Sequence, residues 1–273
     1  MTLDTGFPRT VTVYGTGLIG CSLALALKQT FPGVRVYGID NTEILNRARS
    51  IGAIEEHGPA ETASDLVVLS VPVGEILRLT GELRPGTSLI LDVGSTKVDI
   101  CRSAENRKLP FVGGHPMTGS ERSGPEAASA DLFRGSRFFL CPVASTPPGA
   151  IAGLENVIRT IGALPFVIRP EDHDKLVAEL SHLPQILSTV LAEHTGEHRE
   201  FAGPGWKSVT RLAASPFHVW RDILMTSGSL PGELRTYIQR LQDILDALER
   251  QDLKQLESVF ERANNSVFDG PHG

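Results

Sequence analysis

Val11-Thr-Val-Tyr-Gly-Thr-Gly-Leu-Ile-Gly-Cys-Ser-Leu-Ala-Leu-Ala-Leu-Lys28 decides how the rest of this chain is read. It opens as a β-branched run, turns through Gly15, Gly17 and Gly20, and continues into helix formers. G-x-G-x-x-G carries weight only in this strand–turn–helix setting. The first glycine permits a tight turn, the second a close approach of the backbone to a pyrophosphate, and the third close packing of helix on strand. Phosphates then lie on the unpaired N–H groups at the positive end of the helix dipole. Residues 34–40 read as a second strand ending in Asp40, 20 residues after Gly20. An acid there accepts from the adenosine ribose and repels a 2′-phosphate, so NAD is expected and NADP disfavoured. Arg47 and Arg49 lie just downstream and are the groups that could offset that repulsion. An ordinary βαβ turn with a surface aspartate is the plainer alternative.

Outward from this stretch, strands and helices alternate. Residues 65–71 form an apolar run suited to a strand buried on both faces, and Pro72 stops it. Val71 and Pro72 therefore lie at a strand's C-terminal end, the edge where open α/β sheets bind ligands. Leu18, Ile19, Val71 and Pro72 join Gly15, Gly17, Gly20 and Asp40 as the expected cofactor-binding set. Strands are expected at 88–93, 111–112, 137–141 and 164–168, with helices near 43–51, 76–83 and 151–161. This is an α/β Rossmann-type, doubly wound, mostly parallel sheet.

Beyond Pro170 the apolar period changes to that of helices: Leu176, Leu180, Leu183, Leu187 and Val190, then Leu234, Ile238, Leu241, Leu245 and Leu248, then Leu253, Leu256 and Phe260. An all-α helical domain over residues 171–273 is expected to follow a dinucleotide-binding domain over 1–170. The stripes exceed what one small bundle buries, so some are expected to face a second subunit. Pro184 should kink its helix or restart it, and Ser215-Pro216 reads as an N-cap with proline at N1.

The net charge of −6 argues against nucleic acid and anionic membranes as partners. No apolar run reaches a membrane span, and the first ten residues lack a leader's apolar core. Three scattered cysteines, Cys21, Cys101 and Cys141, give no zinc or redox spacing, so a reduced cytoplasmic protein without a metal site is expected. Four polar residues break the pattern. Ser95 and His115 follow strands at the edge that carries the glycine turn. His115, between glycines and Pro116, reads as a proton-accepting imidazole or as a loop histidine capping a carbonyl. His182 lies among apolar neighbours, where a satisfied boundary histidine is the plainer reading. Arg211 reads as a carboxylate-gripping fork or as a surface arginine.

These segments resemble the prephenate/arogenate (cyclohexadienyl) dehydrogenase family over most of the chain. Gly15-Thr-Gly-Leu-Ile-Gly-Cys-Ser-Leu-Ala24 is similar to its dinucleotide loop, and Asp92-Val-Gly-Ser-Thr-Lys97 to its serine-bearing motif. His115-Pro-Met-Thr-Gly-Ser-Glu-Arg-Ser-Gly124 resembles its catalytic-histidine motif and is the most specific of the set. Ser181-His-Leu-Pro184 and Val209-Thr-Arg211, followed by 217–223, resemble its helical segments. The resemblance implies oxidative decarboxylation of prephenate or arogenate with hydride transfer to NAD, giving 4-hydroxyphenylpyruvate or tyrosine. It makes His115 the acceptor for the ring hydroxyl and Ser95 a group orienting either partner. Arg211 becomes a carboxylate ligand with His182, Thr118 and Ser181 nearby, on a small anionic cyclohexadiene substrate. It also implies a homodimer through the helical domain. Some members carry an acid three positions before the arginine, where this chain has Ser208. No ACT-like extension after 268 and no mutase-like segment before 10 is expected. Two other readings stand beside this one: a two-domain dehydrogenase for 3-hydroxy acids, which would need a catalytic lysine, and a non-catalytic dinucleotide sensor, which would need neither His115 nor Arg211.

Overall fold

The computed structural model describes residues 8–55, 64–86, 88–119 and 122–268. Residues 1–7 of the leader reading therefore lie outside the described residues. The chain divides into two compact units, Met1–Gly228 and Ser229–Gly273.

The first unit is built on a seven-stranded sheet: β1 (Thr10–Tyr14), β2 (Arg35–Ile39), β3 (Leu66–Leu69), β4 (Leu89–Asp92), β5 (Phe111–Pro116), β6 (Arg137–Pro142) and β7 (Leu164–Val167). The spatial order is β2-β1-β3-β4-β5-β6-β7, and every pairing is parallel except β5 with β6. Helices α1 (Leu18–Thr30), α2 (Thr42–Ser50), α3 (Val73–Glu82), α4 (Val98–Asn106) and α5 (Ala150–Thr160) provide the flanking layers. The apolar run 65–71 does what its composition requires. Leu66 and Val68 pack into one core with Leu23 and Leu27 of α1 and Leu154 of α5. Val67 and Leu69 pack into the other, with Ile76 of α3 and Ile100 of α4. The chain leaves β1 for β2 on one side and reaches β3 on the other, so a crevice opens at the C-terminal ends of β1 and β3.

β5 is longer than its sequence suggests. The sequence pattern ends it at Val112 and puts His115 in a following loop. In the structure His115 is a strand residue opposite Phe139 of β6. Gly113 and Gly114 look like a turn, yet they serve crowding. A Cβ on Gly114 would stand 2.4 Å from the Asp92 carbonyl oxygen, and one on Gly113 would stand 2.8 Å from Cys101 Sγ.

The helices after the sheet begin with α6 (Pro170–Val177), a π turn (Ala178–His182) and α7 (Leu183–Thr195). Pro184 has no N–H to donate, and the widened turn before it takes up the mismatch. α8 (Pro204–Val209), a 3₁₀ turn (Arg211–Ala214) and α9 (Phe217–Thr226) complete the unit. Pro216 takes the cap position of α9 rather than N1, so the expected Ser215 cap is displaced by one residue.

The second unit is a helical hairpin of α10 (Leu230–Glu249) and α11 (Leu253–Phe268). Asp252 Oδ1 accepts from Gln255 N–H at 3.1 Å and caps α11. Ile238, Leu241, Leu245 and Leu248 of α10, with Leu253 and Phe260 of α11, are all exposed. A regular apolar stripe left in water marks an association surface. Light scattering at micromolar concentration is expected to give a dimer, and a Leu241→Arg/Leu245→Arg variant a folded monomer. A monomeric parent protein would contradict this.

Candidate active site

Each of the three loop glycines has its own physical reason. Gly15 has φ +86°, and a Cβ there would lie 2.2 Å from the Ser70 carbonyl oxygen and 2.8 Å from Val71 Cγ1. A Cβ on Gly20 would lie 2.1 Å from the Gly15 carbonyl oxygen, so helix and turn touch backbone to backbone. A Cβ on Gly17 would meet nothing within 4 Å. Gly17 thus fronts open space, at the start of a helix with no side-chain cap and no acid in its first turn. That arrangement fits a pyrophosphate, with Leu18 and Ile19 at the helix start and Val71 and Pro72 across the crevice.

Asp40 ends β2 and secures this turn. Its Oδ2 accepts from Thr16 N–H at 2.8 Å and its Oδ1 from Asn41 N–H at 2.8 Å. Each oxygen also takes a longer contact, from Thr16 Oγ1 and from Asn41 Nδ2 at 3.3 Å, and these two side-chain donors are the ones a ribose hydroxyl would replace. Arg47, which could have favoured a 2′-phosphate, is engaged by Glu126 in a two-pronged ion pair. Arg49 donates to Asn46 Oδ1 at 3.1 Å.

At the far side of the same edge, β4 ends in Asp92, fully buried. Its Oδ2 accepts from the buried Lys97 ammonium and from Gly94 N–H, and its Oδ1 from Gly114 N–H at 3.1 Å. These bonds hold the end of β4 against β5, one residue before His115. Lys97 is followed by α4, whose first N–H groups need acceptors. Asp174 of α6 supplies them: Oδ1 accepts from Lys97 N–H at 2.7 Å and Oδ2 from Val98 N–H at 3.0 Å.

Asp174 also faces its neighbour. His173 Nδ1 lies 2.8 Å from Asp174 Oδ1, and His173 Nε2 lies 2.9 Å from His115 Nδ1. A carboxylate accepts, so His173 carries its proton on Nδ1 and offers a lone pair at Nε2. His115 must then carry its proton on Nδ1, which leaves Nε2 as the basic nitrogen. Burial holds His115 well below the ordinary histidine range, and His173, Lys97 and His182 lower it further. Burial also lowers His173, against the pull of Asp174. Both rings are therefore neutral near pH 7.

The remaining site residues divide. His182 ends the π turn, buried, with Nδ1 2.8 Å from Ser227 Oγ and its ring edge-on to Trp220. Burial pushes it down to about 4. α9 is fastened over the sheet edge by Asp222 accepting from Gly74 N–H at 3.0 Å and by Thr226 against Thr96 at 2.8 Å. Arg211 is exposed on its 3₁₀ turn, which α7 holds in place. Gln185 donates to the Leu212 carbonyl at 2.9 Å, and Ser188 accepts from Ala213 N–H at 3.1 Å. Ser95 is half-buried beside the Asp92–Lys97 pair, and His173 rather than Ser95 binds His115 Nδ1. Ser181 is half-buried in the π turn, and Thr118 donates to the Leu132 carbonyl at 3.1 Å. Ser120 and Glu121 of the histidine motif lie outside the described residues. His173 and Asp174 were not singled out by sequence. The acidic first turn around them, Glu171 and Asp172 included, reads as a solvated helix start.

Two family models match the chain, described as the nucleotide-binding domain of prephenate dehydrogenase over residues 23–166 and its dimerization domain over 169–262. Prephenate dehydrogenase of Bacillus subtilis is 33% identical over 279 residues, spanning 94% of this chain and 74% of the relative. Cyclohexadienyl dehydrogenase of Zymomonas mobilis is 29% identical, spanning 94% of both. Among solved structures, prephenate dehydrogenase from Aquifex aeolicus, in complex with hydroxyphenyl propionate and NAD+, superimposes with a TM-score of 0.85 at 26% identity, covering 95% of this chain and 97% of that one. Arogenate dehydrogenase from Synechocystis gives a TM-score of 0.80 at 25% identity, covering 94% and 98%.

The geometry around Asp40 sets the cofactor expectation. NAD should bind more tightly than NADP. Asp40→Ser should lower NAD affinity by about tenfold or more, the scale of one charge-assisted hydrogen bond, and narrow the gap to NADP. Calorimetric titration checks both, and a parent protein that prefers NADP would contradict the role given to Asp40.

Proposed function

The chain belongs to the prephenate dehydrogenase family, and on that premise we propose that it catalyses NAD-dependent oxidative decarboxylation of prephenate or arogenate. The observation that carries the mechanism is the Asp174–His173–His115 chain, which supports His115 Nε2 as the acceptor for the proton of the substrate's ring hydroxyl.

The substrate ring bears a hydroxyl on C4 and a carboxylate on C1. The turn of Gly15, Gly17 and Gly20, with Asp40, would hold NAD, which when bound would supply the acceptor for the hydride on C4. His115 receives the hydroxyl proton at Nε2 as the C4–O bond gains double-bond character. The C1–carboxylate bond then breaks to release carbon dioxide, its electron pair enters the ring to make it aromatic, and the phenolate oxygen so formed takes the proton back from His115 Nε2. A neutral imidazole suits this step, since an imidazolium has no lone pair to offer. Ser95, at the loop after β4, is assigned a second polar contact to the same hydroxyl. Arg211 is assigned a substrate carboxylate, which a planar guanidinium grips with two N–H groups. Thr118, Ser181 and His182 are assigned to the same substrate pocket. No acid stands three residues before Arg211, and the fastening of its turn to α7 by Gln185 and Ser188 supports a different means of positioning it.

The boundary between cofactor and helical domains is placed near Pro170, with dimerization through the helical part and its exposed stripes. The buried free thiols Cys21, Cys101 and Cys141 support work in the reducing cytoplasm. No helix among the described residues is long and apolar enough to cross a membrane.

Steady-state kinetics separate the two principal roles. His115→Asn keeps a polar group but removes the base, so kcat should fall by ~10²–10⁴-fold with KM less affected. Arg211→Ala should act chiefly on KM, at roughly 2–5 kcal/mol for a carboxylate left unpaired, and Arg211→Lys should restore only part of it. Near-normal turnover by His115→Asn, or an unchanged KM in Arg211→Ala, would overturn the respective assignment. Because the folded site depresses the His115 pKa, the imidazole stays unprotonated as pH falls through the ordinary histidine range. The acid limb of kcat/KM should therefore lie below pH 6.5. A limb at or above that value would contradict the buried neutral base.

A further inference from the structure

Two buried polar atoms lie off the Asp174–His173–His115 chain. His182 Nε2 and Gln185 Oε1 are both buried and meet no hydrogen-bonding partner among the described residues. Three residues apart in helical backbone, they share one face. The orientation of Gln185 is fixed by its neighbours. Its Nε2 donates to the Leu212 carbonyl at 2.9 Å and to Thr189 Oγ1 at 3.3 Å. A carbonyl can only accept, so the NH₂ group must face it. Thr189 spends its own hydroxyl proton on the Gln185 main-chain carbonyl at 2.9 Å. Both amide hydrogens are thus used, and Oε1 is left as a bare acceptor. A buried acceptor without a donor is destabilising unless a ligand brings one. His182 is adaptable by comparison. Its Nδ1 faces the Ser227 hydroxyl, which can donate or accept, so Nε2 presents either a lone pair or an N–H.

Prephenate and arogenate differ at one place, a side-chain keto group against a side-chain amino group. The ammonium brings three donors, whereas the keto oxygen brings none. Set against Gln185 Oε1, the ammonium makes a charge-assisted hydrogen bond. The keto oxygen would face another oxygen with no proton between them, a repulsive pairing that discriminates as strongly as the attractive one. We propose that His182 and Gln185 form the subsite for the substrate's side-chain amino group, so that this chain acts on arogenate in preference to prephenate. The proposal rests on the dehydrogenase reading above and adds which of the two substrates that site selects. Gln185 has a second duty, tethering the turn that carries Arg211. Loss of that tether falls on both substrates alike, so the ratio of their kcat/KM values reports the amino-group contact alone.

The test is initial rates of NADH formation on each substrate for the parent protein, Gln185→Met and Gln185→Glu. Parent kcat/KM should be higher for arogenate by about tenfold or more, and Gln185→Met, which removes the acceptor, should lower that ratio by about the same factor. Gln185→Glu keeps an acceptor and should keep the preference even where the lost tether slows both reactions. A parent protein that favours prephenate overturns the subsite, as does a Gln185→Met variant that slows both substrates equally. If the parent protein oxidises neither, the dehydrogenase reading falls and the subsite with it.

Discussion

The carboxylate of Asp174 is the constraint on which the site depends. It accepts from two backbone N–H groups at the start of α4 and from one imidazole at once. An acceptor at a helix N-terminus contributes roughly 0.5–2 kcal/mol, and the helix dipole favours negative charge there. The same contact joins α6 to the sheet edge. Because the carboxylate cannot donate, it dictates the tautomer of His173, and His173 dictates that of His115. Folding and the proposed proton transfer thus use one interaction.

The surroundings keep that chain in register. Asp92 and Lys97, buried together, fix the ends of β4 and β5, and the two glycines before His115 let β5 pass the Asp92 backbone without a clash. Burial that penalises a charged imidazole keeps His115 neutral near pH 7, as the proposed proton acceptor must be. The adjacent crevice is prepared differently, with open space at Gly17 and an uncapped helix start where anionic phosphates can lie. The proposed base and the anion-binding turn occupy one sheet edge because parallel strands deliver all their C-terminal ends to one side.

Much of this was legible in the sequence where the determinants are local. The glycine turn, the acid ending β2, the apolar run of β3 and the change of period after Pro170 each lie within a short window. What was not legible depends on distance or crowding. Gly113-Gly114 look like a turn because glycine is read as a breaker, although here they serve close packing inside a strand. His173 lies 58 residues from its partner His115, and no periodicity links the two. His173-Asp174 follows Pro170-Glu-Asp172, a composition that reads as solvent-facing, yet both side chains are buried. Gln185 is one polar residue on a helix whose apolar stripe draws the eye. Its orientation emerged only from the Leu212 carbonyl that folds back onto it.

The most direct measurement is which ring nitrogen of His115 carries the proton, read from ¹⁵N chemical shifts of selectively labelled protein at neutral pH. The proton should sit on Nδ1, with Nε2 unprotonated, and His173 should likewise be protonated on Nδ1. Asp174→Asn should mix the tautomers of both rings. A proton on Nε2 of His115 in the parent protein would contradict the Asp174–His173–His115 chain.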